Sequence, residues 1–92
     1  MLAEDYNIKP VSFGHKVGLN AAERTIFLKN DEGNVIEVLP LVYILWRKAN
    51  GQNSLEQIIE YTIQRTQKNR AFVEKIVSEV YAKLRNDKLI DL

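Results

Sequence analysis

The chain has 92 residues, with 13 Lys and Arg against 12 Asp and Glu, and it contains no cysteine. A chain of this length forms one small domain with a modest core. The balanced charge lacks the basic excess of a typical nucleic-acid binder, and the missing cysteine excludes disulfides, zinc–thiolate sites and thiol nucleophiles. No stretch of signal-peptide or membrane-spanning character is present, so we expect a single cytoplasmic domain over residues 1–92.

The N-terminal part of the chain predicts little regular structure. We expect residues 1–10 to form a flexible arm, within which Tyr6 or Ile8 could dock on the domain. Residues 11–19 include Gly14 and Gly18, a pattern that favours a bent or bulged edge strand over a helix. A short connection would follow.

A β-hairpin is predicted next. Residues 24–29 and 35–38 are rich in β-branched and aliphatic side chains, and they flank the turn sequence Asn30-Asp31-Glu32-Gly33-Asn34. This pattern is typical of a three-residue hairpin loop in which the glycine has a positive φ.

The turn also predicts the register of the hairpin. If Asn30 pairs with Asn34, two cross-strand pairs place aliphatic side chains on the face that covers the helices: Leu28 opposite Ile36, and Ile26 opposite Val38. The opposite face carries Phe27, Val35 and Leu39, which we expect to be covered by the first strand, by the arm or by a partner.

Two helices should follow the hairpin. Pro40 suits a first helical turn, and Gly51 marks the stop of a helix that ends near Asn50. Ser54 and Gln57 form a capping box, in which each side chain satisfies a free amide at the other position, so a second helix starts there.

A third helix is predicted from the N-cap Asn69 onward. Its apolar stripe contains Phe72, Val73, Ile76, Val77, Val80, Tyr81 and Leu84. Residues 89–92 should pack back on the domain or add a short strand. The expected fold is therefore α+β, a small three-stranded antiparallel sheet followed by a three-helix bundle resembling a winged helix-turn-helix.

Groups for ordinary enzyme chemistry are scarce. His15 is the single histidine and has no cysteine or glycine-flanked serine as a partner, so we interpret it as a surface residue. No nucleotide, zinc-protease or calcium-binding motif is present. Trp46 lies in an apolar stripe and is expected in the core, whereas Tyr43 falls outside the stripe. The sequence predicts a protein without catalytic activity, metal or cofactor.

The order of these motifs resembles the PqqD-like family, the small domains called RiPP recognition elements. The resemblance spans residues 24–92, and Pro40 and the N-terminal strand depart from the family pattern. It rests on four features: the strand Asn34-Val35-Ile36-Glu37-Val38-Leu39 leading to Ile44-Leu45, the segment Asn50-Gly51-Gln52-Asn53-Ser54-Leu55-Glu56-Gln57-Ile58, the helix Val73 to Leu84, and the closing Leu89-Ile90.

The resemblance implies peptide binding. Such domains capture the leader segment of a ribosomally synthesised precursor peptide and present it to a modifying enzyme, often a radical-SAM enzyme. An unpaired sheet edge can accept a peptide as an added strand, in agreement with that role. Carried to this chain, the strand and the third helix provide the peptide-binding residues, namely Val35, Ile36, Glu37, Val38, Phe72, Lys75, Ile76, Glu79 and Lys83.

Two alternatives remain at this stage. In a DNA-binding winged helix, residues 69–85 would be the recognition helix, and cations would meet phosphates: Arg70, Lys75, Lys83, Arg85 and Lys88. Glu74 and Glu79 interrupt that surface, so a nucleic-acid partner is disfavoured. In a homodimeric structural module, the edge strand would pair with its own copy.

Overall fold

The computed structural model describes residues 6–92, and the predicted α+β fold is confirmed. The sheet of three antiparallel strands precedes three helices, and two very short strands are added. The elements are β1 (Val11–Ser12), β2 (His15–Asn20), β3 (Thr25–Lys29), β4 (Val35–Val38), α1 (Pro40–Lys48), α2 (Leu55–Thr66), α3 (Arg70–Asn86) and β5 (Ile90–Asp91).

The hairpin of β3 and β4 has the predicted register. The Asn30 amide donates to the Asn34 carbonyl at 2.9 Å, and Gly33 has a φ of +91°. The ladder sets two aliphatic pairs on the inner face, as expected: Leu28 opposite Ile36, and Ile26 opposite Val38. The turn chemistry therefore determined the register correctly.

Residues 11–19, predicted as a single bent or bulged edge strand, instead form two strands that belong to two different sheets. β1 pairs with β5, whereas β2 pairs with β3 in the order β2-β3-β4. The division falls at Gly14, which has a φ of +81° and a position where an added Cβ would lie 2.2 Å from the Lys29 carbonyl oxygen. Only glycine fits that close backbone approach. The predicted bulge occurs between Lys16 and Gly18.

The end of the chain packs back and forms β5. We call the assembly of β1, β5 and the end of α1 the clasp. Its backbone bonds include the Ser12 amide donating to the Ala49 carbonyl at 2.6 Å and the Phe13 amide donating to the Leu89 carbonyl at 2.8 Å. The Trp46 indole N–H donates to both the Phe13 and the Leu89 carbonyl, at 3.1 and 3.0 Å. The buried tryptophan thus joins the residue after β1 and the residue before β5 to the helix.

The helix signals are confirmed with small changes in length. α1 ends at Lys48, slightly before the predicted Asn50. The capping box of α2 is formed, with the Ser54 amide donating to Gln57 at 2.8 Å and the Gln57 amide donating to Ser54 at 3.2 Å. The side chain of Asn69 accepts from the amide of Phe72, as predicted for the N-cap of α3.

The core lies between the inner face of the sheet and the three helices. Of the predicted α3 stripe, four members are buried: Val73, Val77, Tyr81 and Leu84. Phe72 is 47% exposed, and Ile76 and Val80 are half-buried, so the buried stripe is narrower than expected. Burial raises the pKa of Tyr81, whose hydroxyl donates to the Leu45 carbonyl at 2.9 Å.

The segment before β1 runs along the start of α2. The Leu55 amide donates to the Ile8 carbonyl at 2.8 Å, and the Glu56 amide donates to the Tyr6 carbonyl at 2.9 Å. The side chains of Tyr6 and Ile8 are partly buried and pack against the core. The expectation of a flexible arm covered residues 1–10, and its part over residues 1–5 lies outside the described residues. Over residues 6–92, no helix has the length and apolarity required to cross a membrane.

Candidate functional site

β4 is an edge strand of the three-stranded sheet over residues 6–92, since its only ladder is with β3. The hydrogen bond from Asn30 to Asn34 identifies one hydrogen-bonded pair of that ladder. Such pairs alternate along antiparallel strands, so the next ones involve Ile36 and Val38. The backbone groups of these two residues are therefore engaged with β3.

The backbone groups of the other two residues of β4 point away from β3. By the same alternation, the amide and carbonyl groups of Val35 and Glu37 point to the open edge. Val35 is 56% exposed. Of the four residues predicted to pair with a peptide, these two have backbone groups free for an added strand.

A groove of about 330 Å³ lies beside this edge, between β4, the start of α1 and the second half of α3. Five of its eight lining side chains are aliphatic, and three are charged. The lining consists of Glu37, Val38, Leu39, Val42, Glu79, Val80, Lys83 and Leu84. An open strand edge therefore adjoins an apolar groove.

The charged residues of the groove are not equivalent. Lys83 forms an ion pair with Asp87 at 2.7 Å, and the Glu37 carboxylate accepts a hydrogen bond from the Thr25 hydroxyl. Glu79 is exposed and forms no ion pair with another residue in the described range. Glu37 also has no ion-pair partner in the described range, so both carboxylates of the groove stay available to a cation.

The structure brings only part of the predicted site together. Glu37, Val38, Glu79 and Lys83 line the groove, whereas Phe72, Lys75 and Ile76 lie on the first half of α3 and do not line it. Ile36 lines a separate polar pocket beside the hairpin turn.

Sequence reasoning did not assign Leu39, Val42, Val80 and Leu84 to the site. Leu39 is the N-cap of α1, yet it provides no side-chain hydrogen bond there and is 62% exposed. Leucine is a poor residue at this position of a helix. That mismatch between residue and position was a usable signal in the sequence.

The cations proposed for a DNA-binding surface are partly neutralised. Arg70 forms ion pairs with Glu56 at 2.6 Å and with Glu74 at 2.7 Å. The hydrogen bond from Arg70 lowers the pKa of the Glu56 carboxyl, and the same pairing raises the pKa of Arg70. This guanidinium is occupied within the chain.

Two more of those cations have carboxylate partners. Lys88 pairs with Glu32 at 2.7 Å, and Lys83 is held by its ion pair. Lys75 and Arg85 are left without a pairing carboxylate in the described part of the chain. The net positive charge offered by the α3 surface is therefore small.

His15 is exposed on β2, opposite Lys29. The side chains of residues 6–92 include no group of three His, Asp or Glu with the arrangement of a metal site. The groove offers a ligand aliphatic contacts, the backbone groups of the β4 edge and two carboxylates without an ion pair in the described residues, Glu37 and Glu79.

Comparison with family models, curated proteins and solved structures gave no match for this chain. The resemblance to the PqqD-like family stays a prediction from the residues quoted for it.

Proposed function

We propose that this protein is a non-catalytic peptide-binding protein that receives an extended peptide as an added strand on β4. The observation that carries the proposal is the open edge at Val35 and Glu37, lying directly beside an aliphatic groove. Strand addition uses main-chain hydrogen bonds for affinity and adjoining pockets for side-chain selection, and both parts are present here.

The geometry indicates how such a peptide would bind. Val35 and Glu37 each offer one amide donor and one carbonyl acceptor to the incoming backbone. Side chains of an extended peptide alternate between two faces, so every second residue would point toward the groove. The aliphatic lining favours apolar residues at those positions, and under this proposal Leu39, Val42 and Val80 would select them.

Charge adds a further preference. Glu79 borders the groove and has no ion-pair partner in residues 6–92. A basic residue of the peptide beside the apolar positions would meet this carboxylate, and it would fix register more than it raises affinity. We expect a peptide with alternating apolar residues and a neighbouring Lys or Arg.

The resemblance to recognition elements supports a specific source for the peptide. The proposed ligand is the leader segment of a ribosomally synthesised precursor, which this protein would present to a modifying enzyme of radical-SAM type. A chain without cysteine suits the reducing cytoplasm where such enzymes work.

A homodimer is the second candidate, because the same open edge of β4 could pair with that of another copy. Light scattering coupled to gel filtration distinguishes the two. We expect a monomer in the absence of peptide. A stable dimer whose interface covers the β4 edge would contradict peptide binding at this edge.

Amide NMR shifts of the labelled protein test the proposal directly. Leader peptides encoded beside its gene are added, and we expect shifts at β4 and at the second half of α3 that saturate at micromolar peptide. Shifts confined to other surfaces, or none with any such peptide, would contradict strand addition at β4.

The variant Glu37→Pro sharpens the test. Proline removes the outward amide of Glu37, and it leaves the ladder to β3 intact because that amide does not take part in it. Glu37→Ala is the matched control, since it removes the carboxylate and keeps the amide. We expect Glu37→Pro to bind at least tenfold more weakly than Glu37→Ala, a loss of about 1.4 kcal/mol or more. Equal affinities would mean that the backbone is not used.

A further inference from the structure

A second pocket, of about 410 Å³, lies between α1 and α2 and shares no residue with the groove. We call it the tyrosine pocket. Its lining contains two tyrosines and two cations, and no Asp or Glu. The lining residues are Tyr43, Ile44, Arg47, Lys48, Asn50, Asn53 and Tyr61.

Two cations contact Tyr61, one at its ring and one at its hydroxyl. Tyr61 lies on α2, and the Lys48 ammonium is 4.0 Å from the centre of its ring. The Arg65 guanidinium donates to the Tyr61 hydroxyl at 3.4 Å. Ring and hydroxyl are therefore both engaged by positive groups.

The second tyrosine has the same kind of neighbours. The Lys16 ammonium is 5.4 Å from the ring centre of Tyr43, and the Arg47 guanidinium carbon is 6.0 Å from it. The same ring stacks on Trp46, with ring centres 5.9 Å apart. Lys16 comes from β2, so the cations of this region arrive from three different elements.

The four cations Lys16, Arg47, Lys48 and Arg65 produce a concentrated positive charge. None of them forms an ion pair with a carboxylate of residues 6–92. The whole chain has a formal net charge of only +1, so its charges are segregated. Arg47 and Lys48 also complement the dipole at the end of α1, but that does not account for cations contributed by β2 and α2.

We propose that the tyrosine pocket docks an acidic segment of a partner protein, with Asp or Glu carboxylates entering between the cations. The complementary charge would steer the encounter and orient the two proteins. The asparagine side chains of the pocket are partly used within the chain, since Asn53 donates to the Lys48 carbonyl and the side-chain oxygen of Asn50 accepts from two amides. Their remaining N–H groups can donate to a carboxylate, and the cations supply the charge that selects it.

A nucleic acid fits this pocket less well. Binding of bases uses free aromatic faces, whereas both tyrosine rings here already contact cations of the chain. Affinity for a phosphate backbone rises with the number of phosphates neutralised. Two cations that line the pocket and two that contact its tyrosines give only a short track. The inference is independent of peptide binding at β4, and either one can fail alone.

The test uses the full chain and a hexaglutamate peptide, with hexaglutamine as the uncharged control. We expect amide shifts at Tyr43, Arg47, Lys48 and Tyr61 with glutamate, weakening as salt is added. Equal shifts with glutamine, or none at the pocket with glutamate, would overturn the proposal.

A pair of double variants separates this pocket from general attraction by positive charge. Arg47→Gln with Lys48→Gln should weaken hexaglutamate binding about five- to tenfold. Lys75→Gln with Arg85→Gln removes the same charge from α3 and should leave binding unchanged. Equal losses in both would overturn the assignment.

Two further measurements complete the design. Circular dichroism establishes that each double variant is folded, and single Arg47→Gln replaces the double variant if it is not. A single-stranded DNA of equal charge is titrated in parallel. If the DNA shifts the amides of Tyr43, Arg47, Lys48 and Tyr61 and binds more tightly than hexaglutamate, the partner would be a nucleic acid and the proposal of an acidic protein segment would be overturned.

Discussion

The clasp and β4 differ in what their backbone groups bond to. In the clasp, two strands of two residues each are tied to α1 through backbone bonds and through the two acceptors of Trp46. At β4, the outward groups of Val35 and Glu37 have no ladder partner in residues 6–92, and an aliphatic groove lies beside them. The comparison teaches that strands of two residues can be held in this fold by hydrogen bonds to a helix, whereas the outward groups of β4 have no such partner, and this makes the β4 edge worth testing as a binding surface.

Removing Trp46 should have the largest effect on stability, because its indole holds the clasp together. Trp46→Ala deletes a buried ring, removes the indole donor of the Phe13 carbonyl and leaves the Leu89 carbonyl with the Phe13 amide as its donor. We expect a loss of about 3–5 kcal/mol in the free energy of unfolding, a large part of the stability of a small domain. Urea unfolding followed by circular dichroism measures it.

Trp46→Phe is the control for that experiment. It keeps most of the buried area and removes the indole donor, so its loss should be smaller than that of alanine and still exceed about 1 kcal/mol. Equal stability of Trp46→Phe and the native protein would show that the two hydrogen bonds of the clasp contribute nothing.

Tyr81→Phe should have the next largest effect. Near the end of α1 the Ala49 amide bonds to the Trp46 carbonyl, and the Tyr81 hydroxyl satisfies the carbonyl of Leu45. Losing this buried donor should cost about 1–2 kcal/mol. Urea unfolding checks the value, and a change below about 0.3 kcal/mol would mean that another donor replaces it.

A smaller effect on stability is expected at Arg70, which lies where the N-terminal segment, α2 and α3 meet. Its guanidinium lies 5.4 Å from the Tyr6 ring centre and pairs with Glu56. Because the folded-state pKa of Glu56 is lowered, its contribution is present above its ordinary pKa of 4.5 and is lost as pH falls through the folded value.

Thermal melts from about pH 6 to about pH 3 measure that contribution. The native protein should lose stability on acidification more steeply than Arg70→Met, which retains an unbranched side chain and lacks the charge. Parallel curves for the two proteins would show that the ion pair does not contribute to the pH dependence.

Leu39→Ser is the sharpest test of the open side, and its expected effect on stability has the opposite sign. Leu39 is largely exposed at the N-cap of α1, where serine can accept from a free amide. We expect stability to rise by about 0.5–1 kcal/mol while peptide binding weakens. Val35→Thr, another exposed site, should change stability by less than about 0.5 kcal/mol.

Unfolding by urea and peptide titration are both needed for this variant. A loss of stability in Leu39→Ser would show that the leucine is retained for packing. A gain of stability with unchanged peptide affinity would remove Leu39 from the binding site.

Much of the architecture was predictable because its signals are local. The turn around Gly33 determined the register of the hairpin, and Ser54, Gln57 and Asn69 marked the starts of two helices. Each of these interactions joins groups only a few residues apart, so the information is contained in a short stretch of sequence.

The candidate site was predictable in part. The open β4 edge follows from its place after the hairpin, and Glu79 and Lys83, which the sequence suggested as side walls, line the groove beside it. The predicted wall at Phe72 does not line the groove, since the rotation and tilt of α3 decide which half approaches β4. Periodicity reports which residues share a face of a helix, but not what that face meets.

The sequence by itself determined the element order, the hairpin register and the helix starts. Tertiary structure alone decided the division of the first strand at Gly14, the pairing of β1 with β5 and the two acceptors of Trp46. These features join residues that are tens of positions apart in the chain. Their formation depends on how the helices pack, because a long-range contact forms only when the gain from burial and hydrogen bonding exceeds the entropy of ordering the chain between its ends.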